Sequence, residues 1–560
     1  MTGKLIGSNV TFIPIGGYNN TILGSDVMIS NTTGIQNIGI GDSVLKRSTT
    51  GNNNTAVGFR SMSYNTTGTE NSAFGILALQ YNTGGVRNNA FGNGTMGNNT
   101  TGNDNSAFGS GALTKNTTAS YNTAIGNNSL ETTTTGSWNT AIGTQALRKN
   151  TTGYVNVAVG QGALYENTTG AANVAIGRES LTKNTTATGN VAVGDRALNQ
   201  NTTAEGNVGI GYTALYSNTT GANNTSIGYA SMNTNTTGYE NTALGYKTLN
   251  ANTSGIFNTA IGSQALYANT TGYSNTANGA GSLYSNTTGA NNTAMGYQSM
   301  LSNTTGSNNS ALGHGALNAN TTGELNTAIG RNSLTSNTTG SYNTVNGSGA
   351  LFANTTGGDN TAIGYGAIPN NTTGINNTGI GMSTLVGNTT GNGNVALGMA
   401  SLQTNITGND NIAIGNVADV SSSALSNAIA IGAGTIVSAS NSIQLGNTSI
   451  TNVNTSGTFK SNGIISNLVS KTSAYSALSS DEIILANATS APITITLPTA
   501  IGVVGQTYTI KRINSGGNDV TAATTSSQTI DGSTTYALSS QYKYVKVVSD
   551  GSNWIIVGNN

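Results

Sequence analysis

Glycine recurs at every seventeenth position from Gly7 to Gly432, with no insertion or deletion in the run. A second row from Gly34 to Gly408 keeps the same spacing and departs from glycine only at Ala119, Ala187 and Ala204. Self-similarity of this kind dictates an array of identical units, because each unit is too small to bury its apolar side chains alone. Written from its asparagine, the unit reads N-T-A-I-G-x-x-A-L-x-x-N-T-T-G-x-x, as in residues 139–155. Seventeen residues cannot hold two helices, and β-branched residues interrupted by Gly and Asn favour short strands joined by tight turns. Each unit is therefore expected to be one coil of a long parallel β-roll, a β-solenoid. The Asn-Thr-Thr-Gly string predicts one corner, with Asn bonding its own backbone and Gly at positive φ. The glycine after Ile predicts the opposite corner.

Gly, Ser and Asn at low charge also describe flexible low-complexity chain. Disorder, however, gives no reason for Leu or Met to stand four residues after the corner glycine, as at Met62, Leu79, Met96, Leu113, Leu130 and Leu147. In the strand Thr140-Ala141-Ile142, successive side chains point to opposite faces, so Ala141 and Ile142 lie on different faces although both are apolar. One face fills the coil and the other wants a partner. A second strand around Leu147 is predicted to be half-buried. Stacked asparagines such as Asn122, Asn139, Asn156 and Asn173 should form rows along the stack. The simplest completion is a parallel homotrimer about one axis, with coils rising about 4.8 Å each and a rod of roughly 120 Å. Asn278 and Asn346 stand where the apolar strand residue belongs. They are either edge positions that tolerate polarity or buried polar rings on the axis, fixing register at a cost in stability.

Only 7% of the 560 residues are charged, 19 acidic against 19 basic. Nucleic acid is not expected as a partner, because counterion release needs clustered Lys and Arg. With no cysteine and one histidine, His314, thiol chemistry, disulfides and His-rich metal sites are not expected. Calcium sites of the nonapeptide-repeat kind would need an Asp in each coil. Residues Met1–Ser30 show no basic segment followed by an apolar stretch, and no run of about 18 apolar residues occurs. Neither a signal peptide nor membrane insertion is predicted. Hydrolysis of a glycan would need two carboxylates about 5 to 10 Å apart. Asp481 and Glu482 are adjacent and would point to opposite faces of a strand, while Asp519, Asp531 and Asp550 fall in expected turns. No catalytic residue, cofactor or metal is predicted, and the chain is not expected to be an enzyme.

The string Asn258–Leu266, N-T-A-I-G-S-Q-A-L, resembles the head repeats of trimeric autotransporter adhesins. The resemblance covers roughly residues 4–450, and repeats of this type are also similar to those of bacteriophage tail fibres. It implies a left-handed β-roll assembled in threes. After Gly432 the next glycine of the Ile-Gly or Leu-Gly kind is Gly446. Ser442–Thr458, SIQLGNTSITNVNTSGT, resembles the short exit repeat that leads into a neck in such fibres.

From about Lys471 proline appears, charge rises and alternating strands lengthen. Glu482–Ala486, Ile493–Leu497, Thr507–Ile513, Thr534–Leu538, Tyr542–Val548 and Trp554–Val557 read as strands, with a hairpin turn at Ser549–Ser552. The domains are thus a roll over 1–432, an exit repeat and neck over 433–470, and a β-sandwich or jelly-roll-like tip over 471–560. The tip, with its Ile-Thr-Leu-Pro and Asp-Gly-Ser-Asn-Trp strings, resembles small terminal domains of phage tail fibres.

Aromatic side chains are the functional lead. Tyr212, Tyr229 and Tyr246 follow the corner glycines of successive coils and should form a surface row, which either stacks on sugar rings or rigidifies the roll. In the tip, Tyr542, Tyr544 and Trp554, with Lys543 and Lys546, are the candidate receptor contacts. The Asn-Thr-Thr corners are also N-glycosylation sequons, although their turn role explains them without glycans. The combined expectation is a trimeric fibre of a virion that presents a tip to a cell-surface receptor, glycan or protein, for host attachment. The alternatives are a bacterial surface adhesin or extracellular filament and, from another class, an ice-binding protein, which would need flat outward arrays of Thr-x-Thr.

Overall fold

The computed structural model describes residues 16–450, 452, 467–525 and 527–560. Gly7, most of the expected neck and the end of the exit string lie outside the described residues. The described residues are all-β. The chain divides into two compact units, 1–451 and 452–560.

In the first unit, short strands from Thr21–Leu23 to Ser442–Leu445 form one 26-stranded parallel sheet. Each strand pairs in register with those one coil before and after, as Ala124 with Ala141 and Ala141 with Ala158. The middle residue, usually Ala, is buried, and its two neighbours face outward, as the alternation predicts. Register changes where the glycine spacing does: Ala428–Ile431 pairs with Ser442–Leu445, fourteen residues on.

The segment around Leu147 is not a second strand, and it is fully rather than half buried. Gln145 and Leu147 both have positive φ, 60° and 51°, so the backbone winds through turns in which side chains need not alternate. Ala146 and Leu147 consequently both enter the core, with no exposed surface. The Gln145 N–H donates to the Asn127 carbonyl of the preceding coil, and the Leu147 N–H donates to Ala163 of the following one, each at 2.9 Å. Those bonds and the buried Leu offset a left-handed conformation that costs an L-residue roughly 1–2 kcal/mol. Among the described residues, a true second pairing forms only at the C-terminal end of the roll, between Asp419–Val420 and Ile436–Val437.

The two glycine columns serve different needs. The corner glycine, Gly143, has φ +132°. The glycine of Asn-Thr-Thr-Gly is not left-handed, contrary to expectation. A Cβ on Gly153 would instead run into the Asn150 Oδ1 and the Gly170 carbonyl. The left-handed residue comes two positions later, at Val155 with φ 56°. A β-branched residue is badly suited to that conformation, and Val155 is exposed. Val155→Asn is expected to stabilise its coil by about 1 kcal/mol, read as roughly fivefold slower amide exchange nearby. Unchanged or faster exchange would contradict this account.

Two asparagine columns hold the coils together. Along the first, every seventeenth residue from Asn20 to Asn411, one amide joins three coils. The Asn258 N–H and Nδ2 both donate to Asn241 Oδ1, at 3.0 and 3.1 Å, and Nδ2 also donates to the Gly272 carbonyl at 2.9 Å. The second column starts each Asn-Thr-Thr: Asn252 Nδ2 donates to Asn235 Oδ1 at 2.7 Å and to the Gly255 carbonyl at 3.0 Å. These amides are buried, which is tolerable because the hydrogen-bonding capacity of most of them is met; Asn207 Nδ2 and Asn116 Oδ1 are the exceptions.

In the second unit, Leu468–Lys471, Ile483–Ala486 and Thr507–Arg512 run parallel, and Tyr544–Ser549 and Trp554–Asn559 complete that sheet antiparallel. A second sheet joins Tyr475–Ser476, Ile493–Thr496 and Val520–Ala523 in parallel, closed by antiparallel Thr535–Leu538. Both sheets contribute to one core that includes Tyr508 and Trp554. The early strands alternate between sheets, so the unit is a two-sheet sandwich built from coil-like parallel pairs, not an antiparallel jelly roll. Leu468–Lys471 is its first strand, so it straddles the expected boundary between neck and tip at residue 470.

Candidate functional site

The roll carries a long, nearly continuous apolar column on its outer surface. It comprises the last strand residue of nearly every coil, from Leu23 through Ile125, Ile142 and Ile261 to Leu445. Ile142 keeps 38% of its surface in the single chain and Leu244 keeps 45%. Phe74, Phe91 and Phe108 stack along this column at 4.7 and 4.8 Å. Asn278 and Asn346 interrupt it, are exposed in the chain, and take the same in-register place as their apolar neighbours.

Some of the roll's charged side chains pair between coils. Arg87 pairs with Asp104 at 2.6 Å, Lys149 with Glu166 at 2.7 Å and Arg178 with Asp195 at 2.9 Å, each one coil apart. The Arg87 hydrogen bond holds the Asp104 carboxyl below its ordinary value. Such exposed pairs contribute at most about 1 kcal/mol each.

Tyr212, Tyr229 and Tyr246 form the expected row, with ring centroids 5.2 and 5.5 Å apart. Tyr229 therefore has both faces covered by its neighbours, which suits rigidification better than capture of a sugar. A hydrogen bond from Lys247 to Tyr246 raises the ammonium above its ordinary value. Threonine hydroxyls are likewise engaged: Thr270 Oγ1 donates to the Thr287 carbonyl at 3.0 Å, so the first threonine of each Asn-Thr-Thr belongs to the ladder.

In the C-terminal unit the predicted contacts separate. Trp554 is not a surface residue. It has no exposed area, packs edge-on against Tyr508 at 5.3 Å, and its Nε1 donates to the Pro498 carbonyl at 3.2 Å. Tyr544 and Lys546 lie on the outer face of their strand, while Val545 and Val547 point inward. Tyr542, just before the strand, is exposed. Lys543 turns to the other sheet, its ammonium 5.5 Å from the Tyr536 ring. The residue missed from sequence is Lys511, opposite Tyr544 in register and with its ammonium 5.5 Å from the Tyr542 ring. Its outward parity in the alternating string Tyr508-Thr509-Ile510-Lys511 was the available signal. Tyr542, Tyr544, Lys511 and Lys546 thus form a mixed aromatic and cationic face.

Other polar groups in this unit serve the fold. Asp481 is buried and accepts from the Tyr475 hydroxyl and the Leu478 N–H, each at 2.8 Å, and that bond raises the Tyr475 hydroxyl above its ordinary value. Asp550 accepts from the Ser552 and Asn553 N–H groups at 2.7 Å, closing the predicted hairpin turn; these bonds, Asn553 first, lower its carboxyl. Among the described residues no group of three or more His, Asp or Glu side chains converges as a metal site would require. No protein-family model matches the chain, and a search of curated proteins finds no significant relative.

Proposed function

We propose that this chain is a structural fibre protein, in the setting of a phage tail fibre, whose roll is a spacer and whose C-terminal unit contacts a cell-surface receptor, with a glycan as the favoured receptor class. The observation that carries this reading is the apolar column. A stripe of Ile, Leu, Val, Phe and Met that recurs in nearly every coil is far longer than the isolated apolar patches of a monomer. Equal spacing on identical chains fits it to its own copies, and three parallel rolls about one axis would cover it. The mixed face of Tyr542, Tyr544, Lys511 and Lys546 offers flat rings and hydrogen-bond donors for a receptor.

Sedimentation of the full chain is expected to give a trimer, and Ile125→Glu with Ile142→Glu is expected to weaken or open it by burying unpaired charge. A stable monomer for the unaltered chain would remove the reading. Deleting residues 452–560 should abolish attachment to cells while leaving the trimer. Undiminished attachment would move receptor binding onto the roll. Asn278→Ile, which restores the apolar column, is expected to raise the melting temperature of the assembly. A lower melting temperature would show that the amide is not a cost.

A further inference from the structure

Most coils carry a side chain two residues after the corner glycine, in left-handed conformation, such as Gln145 and Gln264. Eight coils have glycine there instead, among them Gly281, Gly349 and Gly366. Nothing lies within 4 Å of where a Cβ on Gly349 would stand, and on Gly281 only the ends of Gln298 and Leu301 do, at 3.5 Å. Gly281 and Gly349 each floor an open cleft, of about 440 Å³ and about 430 Å³ respectively. The two clefts lie four coils apart and are lined at corresponding positions.

Their walls are aromatic. Tyr284 and Tyr297 flank the first cleft, and Phe352 and Tyr365 occupy the same places in the second. Tyr365 is 67% exposed, more than any other residue of the aromatic columns. In the column of Tyr229 the neighbouring coils supply covering rings, but one coil before Tyr297 stands Ala280 and one coil before Tyr365 stands Ser348. Each tyrosine therefore has a ring face with no aromatic neighbour on the cleft side. An amide lines both clefts, Gln264 in one and Asn332 in the other. Neither contains a carboxylate, and only the second has a cation, Arg331, so charge is not the shared feature. The same two coils are those in which Asn278 and Asn346 break the apolar column.

An open cleft of this size with exposed ring faces and a few polar groups suits a ligand that lies along the surface rather than one that is enclosed. The faces of a hexopyranose present C–H groups, whose slightly positive hydrogens suit the negative face of an aromatic ring, while its hydroxyls suit an amide that both donates and accepts. We propose that the two clefts are binding subsites on the roll for neutral hexopyranose chains, separate from any receptor contact of the C-terminal unit.

The test is calorimetric titration of the full chain with maltohexaose, cellohexaose and mannohexaose, up to about 10 mM. At least one is expected to bind, with two sites per chain. Gly281→Gln with Gly349→Gln would fill both floors with a side chain that other coils already hold in this conformation, so folding should be retained and affinity lost by at least roughly tenfold. Tyr297→Ala with Tyr365→Ala should give a comparable loss, and Tyr229→Ala none. Failure of all three sugars to bind, or binding retained in the double glutamine variant, would overturn the proposal. The reading is direct sugar binding, independent of trimer formation and of cell attachment.

Discussion

Gly143→Ala is expected to open the roll at one point, at a cost of about 4 kcal/mol or more. The φ of +132° is a region that L-residues enter only with strain, and a Cβ there would lie 2.6 Å from the Gly160 carbonyl oxygen and 2.7 Å from its carbon. Backbone of the next coil cannot yield without lengthening ladder bonds, so strain and steric overlap add. Hydrogen exchange should show lost protection in the coils on either side of residue 143, with distant coils unchanged, because each unit touches only its neighbours. Gly153→Ala is the contrast. Its Cβ would meet the Gly170 carbonyl oxygen at 2.4 Å, yet that column already holds Ala119, Ala187 and Ala204. The coil can therefore shift to admit a methyl and, with no strained φ to add, the cost should stay below that at Gly143, at roughly 1–3 kcal/mol. Equal effects from the two substitutions would contradict the division between a conformational and a steric glycine.

Asn258→Leu should cost roughly 3–5 kcal/mol, because it orphans several buried groups at once. Asn275 loses the acceptor for its N–H and its Nδ2, both now bonded to Asn258 Oδ1. Asn241 Oδ1 and the Gly272 carbonyl lose a donor. Asn258→Asp makes the same point through pH. Burial beside two acceptor oxygens would raise the folded-state pKa of the new carboxyl above its unfolded value. The variant's stability would then be greatest below the unfolded pKa of about 4 and would fall as pH rises through the folded value. Thermal unfolding at acid and neutral pH checks this. A variant equally stable at both would mean that the asparagine column is not sealed from water.

The stack itself was legible because every constraint in it repeats. Ala141 and Ile142 could be placed on opposite faces from alternation alone, and the shift to fourteen-residue spacing at Gly446 marked the shortened coil. What escaped was backbone conformation where alternation fails. Leu147 was assigned to a strand because its neighbours suit one, yet the chain there turns through left-handed residues that no hydrophobic pattern signals. Composition alone suggests a positive φ for Gly153, whereas its need is space beside an amide two coils share. Trp554 sits in an apolar run, Trp-Ile-Ile-Val, with both parities greasy, so alternation could not say which side is core. Parallel pairing in the C-terminal unit was invisible for a similar reason, since the side-chain period is the same in either direction. The clefts combine an absent side chain with uncovered rings, and glycine at this place, found in eight coils, carries no local signal until the glycine and aromatic columns are drawn together.

The ladder bonds of the roll run along its stacking direction, and this governs how it would respond to pulling. A load applied between the two ends is borne by successive rungs in series, so the weakest yields first and its neighbours stay closed. One released coil of 17 residues would pay out roughly 55 Å of slack for about 4.8 Å of stack surrendered. Tension would therefore be relieved in discrete steps by sacrificial units that can re-zip onto an intact template.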